Sequence, residues 1–355
     1  MKYFAHTTII SPHTRIRRER LLPLRGDVIT RVGQDVSPAQ VVARTQLETD
    51  LFIVPASEQL GVPSDEVMAH LLVEIGSQVE QGTPVAEKKG RLGRKRQVLA
   101  PVDGVLYAVS NGRFVFQQFT YFIELRAMVS GRIINQIPNR GVIIETHGAL
   151  IQGLWSAGED TFGKLMVIAR TTDSRFVAAH LRAETSGHIL VAGRVDDPDV
   201  LFKAEENGVR GVITGSVTAT VAEAAHKLIM PIVAIDGIGK MGMTEPAFQL
   251  LKEMDGEETS LFTGISTDRT NRPEIIIPAP MQPGVEAPKV RKGISVGQQV
   301  RILRAPYAGK VGVVTRLYKH VQQTGIHTVA YGADVKLDDE HEVFIPYSNM
   351  DVLVS

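Results

Sequence analysis

Polar and charged residues follow three predicted strands in the middle of the sequence, at the positions where parallel α/β sheets bind ligands. Arg194 follows the first strand, Ser216 and Thr218 follow the second, and Asp236 and Lys240 follow the third. The N–H groups of a helix beginning near Thr218, the hydroxyls and the two cations could converge on one oxyanion. The pattern predicts a small anionic ligand at the carboxyl ends of the strands.

An alternative interpretation gives the same side chains a purely structural role. Asp197, Thr218 and Thr244 stand where helix N-caps are expected, and Arg194 and Lys240 are then solvated charges. Capping is the commoner use of such residues, so the sequence favours this alternative over the anion site.

Residues 237–242 spell G-x-G-x-x-G directly after a predicted strand, which is the pattern of dinucleotide-binding loops. In those loops the pattern occupies the first strand–helix turn, with its last glycine already inside the helix, whereas here it follows the third strand. Thr244 as N-cap and Pro246 in the first turn predict that the helix begins only after the glycines. We therefore expect a plain loop and no bound NAD.

Other common catalytic chemistries lack their residues. The 355-residue sequence has no cysteine, which excludes disulfides, thiolate nucleophiles and cysteine-ligated metals. Its ten histidines show no metal-binding spacing, and neither G-x-S-x-G nor G-x-x-x-x-G-K-[ST] occurs. We expect no catalytic residues, no metal and no cofactor, and the sequence disfavours enzyme activity without excluding it.

A basic loop interrupts the N-terminal third. Its cations could neutralise the phosphates of a nucleic acid or meet an acidic protein face, and they are Lys88, Lys89, Arg91, Arg94, Lys95 and Arg96. A solvated loop that keeps a β-edge from sticking to neighbours is the alternative. For the cluster from Arg15 to Arg20, which Glu19 interrupts, the alternative is favoured.

The same third contains an internal repeat. Gly33-x-x-Val36 is followed six residues on by Val42-Ala43, and Gly76-x-x-Val79 is followed six residues on by Val85-Ala86. Glycines at turns and inward valines suit small hairpins, and a further hairpin is expected to turn at Asp103-Gly104. With the A-P-x-x-G at 100–104, these residues resemble the barrel-sandwich hybrid of biotinyl and lipoyl carrier domains. The tip lacks a carrier's Met-Lys-Met or Asp-Lys-Ala signature, so the resemblance implies a fold and disfavours an attached cofactor.

Strand and helix patterns alternate from about residue 187. Short β-branched runs are separated by amphipathic segments over 197–208, 218–229 and 244–254, with Gly208 as a helix stop. This rhythm predicts a parallel βαβαβ sheet. Before it, residues 126–182 read as a small β-unit, and after it five prolines in 271–293 predict an extended linker.

The C-terminal residues alternate apolar and polar side chains around a Gly309-Lys310-x-Gly312 turn. Residues 296–318 resemble the KOW motif of SH3-like β-barrels in ribosomal proteins and transcription elongation factors. That resemblance implies contact with RNA or with the transcription and translation machinery. Basic and aromatic side chains suited to such contact are Arg301, Arg304, Tyr307, Lys310, Arg316 and Tyr318. If the acids Asp334, Asp338, Asp339, Glu340 and Glu342 share their face, nucleic acid is repelled and a protein partner is favoured.

Length and charge complete the sequence-based picture. The chain fits about two to four units of common domain size, and its 39 basic and 39 acidic residues balance, so only local patches could attract a charged partner. No apolar run approaches the roughly 18 residues of a membrane span, and no signal peptide is recognised at the N-terminus. We expect a cytoplasmic protein.

The predicted architecture is multidomain β plus α/β. Its segments are a barrel-sandwich hybrid-like domain over 1–125, the small β-unit over 126–182, an α/β domain over 183–270, the linker over 271–293 and an SH3-like (KOW) barrel over 294–355. The favoured function is a non-catalytic binding or scaffold protein with an RNA or protein partner. The alternatives are an anion-binding protein or enzyme using the α/β crevice, and an unmodified carrier-like adaptor in a larger complex.

Overall fold

A computed structural model describes residues 6–46, 50–89, 95–119, 122–264, 272–281, 284, 287, 293–337 and 341–354. The chain forms two compact units that are both discontinuous in sequence. The first unit comprises residues 1–21, 30–42 and 126–355, and the second comprises residues 22–29 and 43–125. Three of the segments predicted from sequence, namely 126–182, 183–270 and 294–355, therefore fall within the first unit.

Within the described residues, the first half of the chain contains one long strand, several short strands and one short helix. The strands are β1 (His6–Leu21), β2 (Asp27–Val28), β3 (Asp35–Val36), β4 (Val41–Gln46), β5 (Leu51–Val54), β6 (Gln78–Val79), β7 (Pro84–Lys89), β8 (Lys95–Leu99), β9 (Gly104–Ser110), β10 (Arg113–Gln118) and β11 (Phe122–Arg126). Helix α1 is Ala56–Leu60, and a 3-10 turn covers Val67–His70.

The second half contains strands of varied length and three further described helices. The strands up to the α/β region are β12 (Gly131–Ile137), β13 (Gly141–Gln152), β14 (Trp155–Ala157), β15 (Thr161–Val167), β16 (His188–Val191), β17 (Arg194–Val195), β18 (Gly211–Val217), β19 (Ile232–Ile238), β20 (Glu258–Phe262) and β21 (Glu274–Pro278). Helices α2 (Asp199–Glu206), α3 (Ala219–Ala225) and α4 (Glu245–Glu253) lie between them, with 3-10 turns at Ala178–His180 and Ala183–Thr185. The C-terminal strands are β22 (Gln299–Ile302), β23 (Val311–Leu317), β24 (Gln322–Gln323), β25 (Val329–Ala330), β26 (Gly332–Leu337), β27 (Glu342–Pro346) and β28 (Met350–Val354), with a 3-10 turn at Tyr347–Asn349. The protein is thus rich in β-structure with few helices.

The parallel strands expected in the middle of the chain are present. β16 pairs with β18, and β18 pairs with β19, all parallel, with α2 and α3 in the connections. Alternate side chains of these buried strands enter two cores, because successive residues of a strand point to opposite faces. Ile189, Val191 and Ile213 lie in the core that α4 covers, while Leu190 and Val212 lie in the core that α2 and α3 cover.

The sheet does not stay parallel at its flanks. β15 runs parallel to β16 but antiparallel to β20, and β14 runs antiparallel to β19. β20 pairs with β21, which pairs with β13, so the strands preceding and following the α/β stretch belong to one mixed sheet.

The stretch expected to be a linker needs a correction. Glu274–Pro278 forms β21, whose three isoleucines are buried between β13 and β20. Prolines stand at 273, just before this strand, and at 278, its last residue, so none interrupts the interior of its ladder. Counting prolines over the whole of 271–293 concealed the apolar run between the first two.

The C-terminal strands form an antiparallel arrangement within the first unit. β22 pairs antiparallel with β23 and β28, and β26 pairs with β23 and β27. Their inward residues make a core that includes Val300, Val314, Val335 and Met350. β28 also pairs in parallel with β1, which in turn pairs with β13, so the two ends of the chain meet in one sheet system.

The repeat seen in the sequence has matching backbone geometry in both copies. Gly33 and Gly76 have φ of 86° and 94°, and their N–H groups donate to Ile133 O at 2.7 Å and Leu106 O at 2.8 Å. Beyond them, Val36 and Val79 are both buried.

The strands whose carbonyl oxygens accept these two hydrogen bonds, β12 and β9, are also equivalent. The sequence analysis did not predict this second part of the repeat. Val36 lies opposite Gly131 of β12, and Val79 lies opposite Gly104 of β9. A Cβ on either glycine would overlap a carbonyl oxygen of the next strand, that of Glu145 for Gly131 and that of Gln117 for Gly104. The sequence signal is V-x-G-x-[LI], at 102–106 and again at 129–133.

The prediction of a hairpin that turns at Asp103-Gly104 is wrong. β8 pairs with β7, while β9 pairs with β10 through a turn at Asn111-Gly112, where both residues have positive φ. Asn-Gly is the stronger hairpin signal of the two because both residues tolerate the left-handed conformation. Phe114 and Phe116 of β10 fill the core of the second unit.

Candidate functional site

The crevice at the carboxyl ends of the parallel strands is filled by neighbouring loops. A Cβ on Gly215 would overlap the backbone of Met243, one on Gly193 would overlap the backbone of Ser174, and one on Gly242 would crowd Thr172 O. Glycines at these points let backbone pack directly on backbone. The loops that were expected to bind a ligand therefore pack against one another.

The hydroxyls predicted to bind an anion are used inside the protein. The Ser216 hydroxyl donates to Met241 O at 2.6 Å, and its side chain is buried. Thr218 is the N-cap of α3, where its hydroxyl accepts from Val221 N–H at 3.4 Å. This geometry favours the capping alternative for Thr218.

Arg194, one of the two cations of the predicted anion site, is held by an acidic side chain and by the backbone of the other. Arg194 Nε lies 3.4 Å from Asp196 Oδ2, and its Nη1 donates to the backbone oxygen of Lys240 at 3.3 Å. Asp196 also contacts Arg175 at 3.1 Å. The Lys240 side chain is exposed.

Asp236 belongs to a different constellation, a buried ion cluster around Arg301. Arg301 Nη1 donates to Asp236 Oδ1 at 2.8 Å, and Nη2 donates to Asp351 Oδ2 at 2.7 Å. All three side chains are at most 1% exposed. The cluster joins β19, β22 and β28 inside the first unit.

Uncharged donors and acceptors complete this cluster. Arg301 also donates to Ile235 O at 3.0 Å and to the Thr8 hydroxyl at 3.2 Å, and Thr8 bonds Asp351. Thr244 donates to Asp236 through its N–H at 2.8 Å and also through its hydroxyl. Thr244 was expected as a capping side chain; it stands at the N-cap of α4 but makes no side-chain cap bond there.

Burial raises the pKa of Asp236 because the charged carboxylate loses its hydration. The positive charge of Arg301 and the hydrogen bonds from Thr244 and Arg301 oppose this rise without cancelling it. Arg272 lies at the cluster's margin, 3.6 Å from Asp351. A pocket of about 10 Å³ beside Asp236 and Arg301 has room for roughly one water molecule, so the cluster does not open onto a substrate-sized cleft.

The position of Arg301 corrects the expectation that it contacts nucleic acid, since a buried guanidinium paired with two carboxylates cannot reach a phosphate. Arg304 and Lys310 are exposed, and Tyr307 packs on the hydrophobic core of the C-terminal strands. The sequence grouped these four residues by type and could not separate the inward one from the others.

Acidic and basic residues share one face of the C-terminal strands. The Tyr318 hydroxyl donates to Asp334 at 2.7 Å, and the Arg316 guanidinium lies 5.0 Å from the centre of the Tyr318 ring. Glu342 accepts from Thr315 on the same strand as Arg316. The hydrogen bond to Asp334 raises the pKa of Tyr318. Asp338, Asp339 and Glu340 lie outside the described residues.

An exposed apolar hairpin projects from the same strands and was not predicted. β24 and β25 pair in it, and it carries Ile326, 80% exposed, and Val329, 67% exposed, with Val321 and Tyr331 at its base. No aspartate or glutamate occurs between residues 318 and 333. We call residues 321–331 the C-terminal hairpin. The sequence did hold one signal for this exposed hairpin, because Ile326 is an apolar residue next to Gly325 in an otherwise polar turn.

The basic loop of the second unit is the tip of the β7–β8 hairpin, and most of its described cations have local partners. Lys88 Nζ donates to Gly61 O at 2.9 Å, Arg96 packs against Gly61, and Lys95 pairs with Glu87 at 3.1 Å. Lys89 is exposed. Arg91 and Arg94 lie outside the described residues.

The N-terminal cations also have local partners. Arg17 pairs with Glu145 at 2.7 Å, Arg20 pairs with Asp160 at 3.0 Å, and Arg18 pairs with Glu274. These pairs favour the structural alternative for this cluster.

Two further features are absent from the described ranges of the chain. No group of three or more metal-ligating side chains is placed to hold a metal ion there. No helix there has the length and apolar character needed to span a bilayer.

Comparison with protein-family models gives no match for the chain, and comparison with curated proteins gives none either. The function therefore has to follow from the chain's own residues.

Proposed function

We propose that this chain is a non-catalytic binding protein that docks onto a protein partner through the C-terminal hairpin. The observation that carries the proposal is the exposure of Ile326 and Val329 on a projecting two-stranded ribbon. Exposed apolar side chains grouped in one place are characteristic of protein-interaction sites, whereas single scattered ones are ordinary.

The charge pattern beside the hairpin favours protein over RNA as the partner. Asp334 and Glu342 lie among Arg316 and Tyr318, so the face presents both signs of charge. A nucleic acid would be repelled by the carboxylates, while a protein can match a mixed face with charges of its own.

The state of the α/β crevice supports a non-catalytic role. The Ser216 and Thr218 hydroxyls bond within the protein, and Asp236 is paired with Arg301. Groups that catalyse reactions must reach a substrate, and the Ser216 and Asp236 side chains are buried and bonded within the protein.

The fold names given by the sequence stay part of the proposal. An SH3-like barrel of the KOW type fits the antiparallel order of β22, β23, β26, β27 and β28, and a barrel-sandwich hybrid fits the repeated glycine geometry. Both folds commonly serve in presentation and binding, which agrees with an adaptor in a larger assembly.

Site-specific photo-crosslinking tests the proposal. A photoreactive amino acid replaces Ile326 in the full-length protein, and the protein is illuminated in an extract of its source cells. The matched control carries the same amino acid at Ile229, which is 70% exposed elsewhere in the first unit. We expect one discrete protein adduct at position 326 that survives ribonuclease and is absent at position 229.

Equal labelling from both positions would refute the docking role of the hairpin. Adducts that disappear with ribonuclease would instead assign the hairpin to RNA.

A further inference from the structure

Strand β5 of the second unit is a short edge strand that carries no charged side chain. The sheet order is β5-β10-β9-β6, so one side of β5 pairs with β10, and no described strand pairs with the other side. Its sequence is Leu51-Phe52-Ile53-Val54, with no charge, and Pro55 follows it. Sheet edges usually carry a lysine, an inward charge or a bulge that blocks pairing with another chain.

The hydrogen-bond pattern leaves this edge open at two residues. Gln118 N–H donates to Asp50 O at 3.2 Å, so residue 50 is bonded to β10. Bonded and non-bonded positions alternate along an antiparallel ladder, which makes Phe52 the next bonded residue. The backbone N–H and C=O of Leu51 and Ile53 therefore point away from β10.

The side chains of the same two residues are also uncovered. Leu51 is 58% exposed and Ile53 is 61% exposed, and Tyr107 of β9 is exposed on the same sheet. Half-buried Val115 lies opposite Ile53 on β10. We call these four residues the edge patch; none of them is charged.

We propose that the edge patch pairs with the edge patch of a second copy of this chain, with the two β5 strands antiparallel about a twofold axis at Phe52. In that register Leu51 lies opposite Ile53 of the other copy, and Ile53 lies opposite its Leu51. Both residues direct their backbone groups outward, so each of the two pairs makes two N–H···O bonds.

The absence of charge on the edge patch makes it compatible with an identical surface on a second copy. Isologous contact places a patch against the same patch, so a charged patch would repel itself. The edge patch is uncharged, and in this register the adjoining carboxylate of Asp50 faces Val54 of the other copy rather than its own counterpart.

The equivalent strand of the other repeat is already covered. In the first unit β13 takes the place of β10, and β1 pairs with it antiparallel as β5 pairs with β10. β1 is extended by parallel pairing with β28, while β5 has no such described neighbour.

Disulfide trapping tests the register directly, because the chain has no cysteine of its own. Leu51→Cys and Ile53→Cys are made as separate proteins. In the proposed pairing the two positions face each other across a bonded pair with Cα atoms about 5.5 Å apart, which a disulfide can span. The like positions, 51 with 51 and 53 with 53, are displaced along the strands. Mild oxidation of the mixture should therefore give far more disulfide-linked dimer than oxidation of either variant alone.

Sedimentation of the unmodified chain gives the second measurement. The patch is small, so we expect a mass that rises above 38.8 kDa only over about 10–500 µM. Ile53→Lys should hold the mass at 38.8 kDa throughout, and Ile229→Lys should leave the association unchanged. Both sites are exposed, so circular dichroism should show both variants folded.

A mass of 38.8 kDa at every concentration would overturn the proposal. So would association that Ile53→Lys leaves intact, or equal trapping by the mixture and by the single variants.

Discussion

Arg301→Ala should be among the most destabilising single substitutions in the first unit. The variant leaves Asp236 and Asp351 buried without the cation that bonds them at 2.8 Å and 2.7 Å. Removing one partner of a buried ion pair costs about 3–5 kcal/mol because the remaining charge has neither water nor a counter-charge. Two carboxylates lose their partner here, so we expect a loss of about 4–5 kcal/mol. That is a large part of the roughly 5–15 kcal/mol that stabilises a typical domain.

The only tryptophan of the sequence is well placed to report this loss. Trp155 lies on β14, opposite Ala234 of β19, two residues before Asp236. Its fluorescence during urea unfolding therefore follows the first unit. The free energy of unfolding of Arg301→Ala is compared with that of the original protein by extrapolation to zero urea.

The loss should also depend on pH. Because the pKa of Asp236 is raised, the folded protein keeps this proton at pH values where the unfolded chain has released it. Its contribution to stability is thus fully present below the unfolded pKa of about 3.9 and is lost as the pH rises through the folded pKa. Arg301→Ala removes two interactions that lower this pKa, so the folded pKa rises further. The destabilisation should be larger at about pH 7 than at about pH 4.5.

A matched apolar variant separates lost charge pairing from lost packing. Replacing Arg301 with methionine and both Asp236 and Asp351 with leucine removes every charge of the trio together. Such replacements are often neutral or stabilising, so this variant should be much more stable than Arg301→Ala. A loss below about 1 kcal/mol for Arg301→Ala, or an equal loss at both pH values, would refute the account of the cluster.

Two further predictions concern close packing and the mixed-charge face. Gly215→Ala should cost about 3 kcal/mol because its Cβ overlaps the backbone of Met243, whereas Gly256→Ala, whose site is open with φ of 85°, should cost only about 1 kcal/mol; equal urea midpoints would contradict the filled crevice. Asp334→Asn should lower the pKa of Tyr318, because the hydrogen bond to this carboxylate is the main cause of its rise. NMR titration of the Tyr318 ring measures this, and an unchanged titration would argue against that bond.

The local elements could be predicted because their signals lie within a few neighbouring residues. The helices α2, α3 and α4 follow from amphipathic spacing, Gly208 has the positive φ expected of a helix stop, and Thr218 caps α3 as its position suggested. Each of these features depends on one turn or one strand of local sequence.

The buried cluster could not be predicted in the same way. Residues 8, 236, 301 and 351 come together only through long-range pairing of β1, β22 and β28. A partial signal was present, because Asp236 and Asp351 each interrupt an otherwise apolar strand and Arg301 lies between the apolar Val300 and Ile302. A buried charge in such a run has to be paired with an opposite charge. These three residues supply one positive and two negative charges, so they can pair with one another.

The crevice shows why loop composition misled the prediction of a ligand. Glycines after parallel strands are compatible with a phosphate approaching the backbone or with another loop approaching it, since both need a missing Cβ. Gly215 and Gly242 serve the second purpose here. Nothing in the glycines themselves distinguishes the two uses.

The repeated glycine geometry bears on which surfaces of the chain can bind. Gly104 and Gly131 hold equivalent places, so the strands that follow them, β10 and β13, can be compared directly. β13 pairs with β1, β12 and β21 and so lies inside the large sheet. On the side of β10 away from β9, the described sheet has one more strand, β5, and β5 forms its edge. Two structurally similar modules therefore differ at their outer edges: the first is completed by its own chain, and the second ends at Leu51 and Ile53. Because outward-facing backbone groups and exposed apolar side chains coincide there among the described residues, pairing with a second chain would cover both at once.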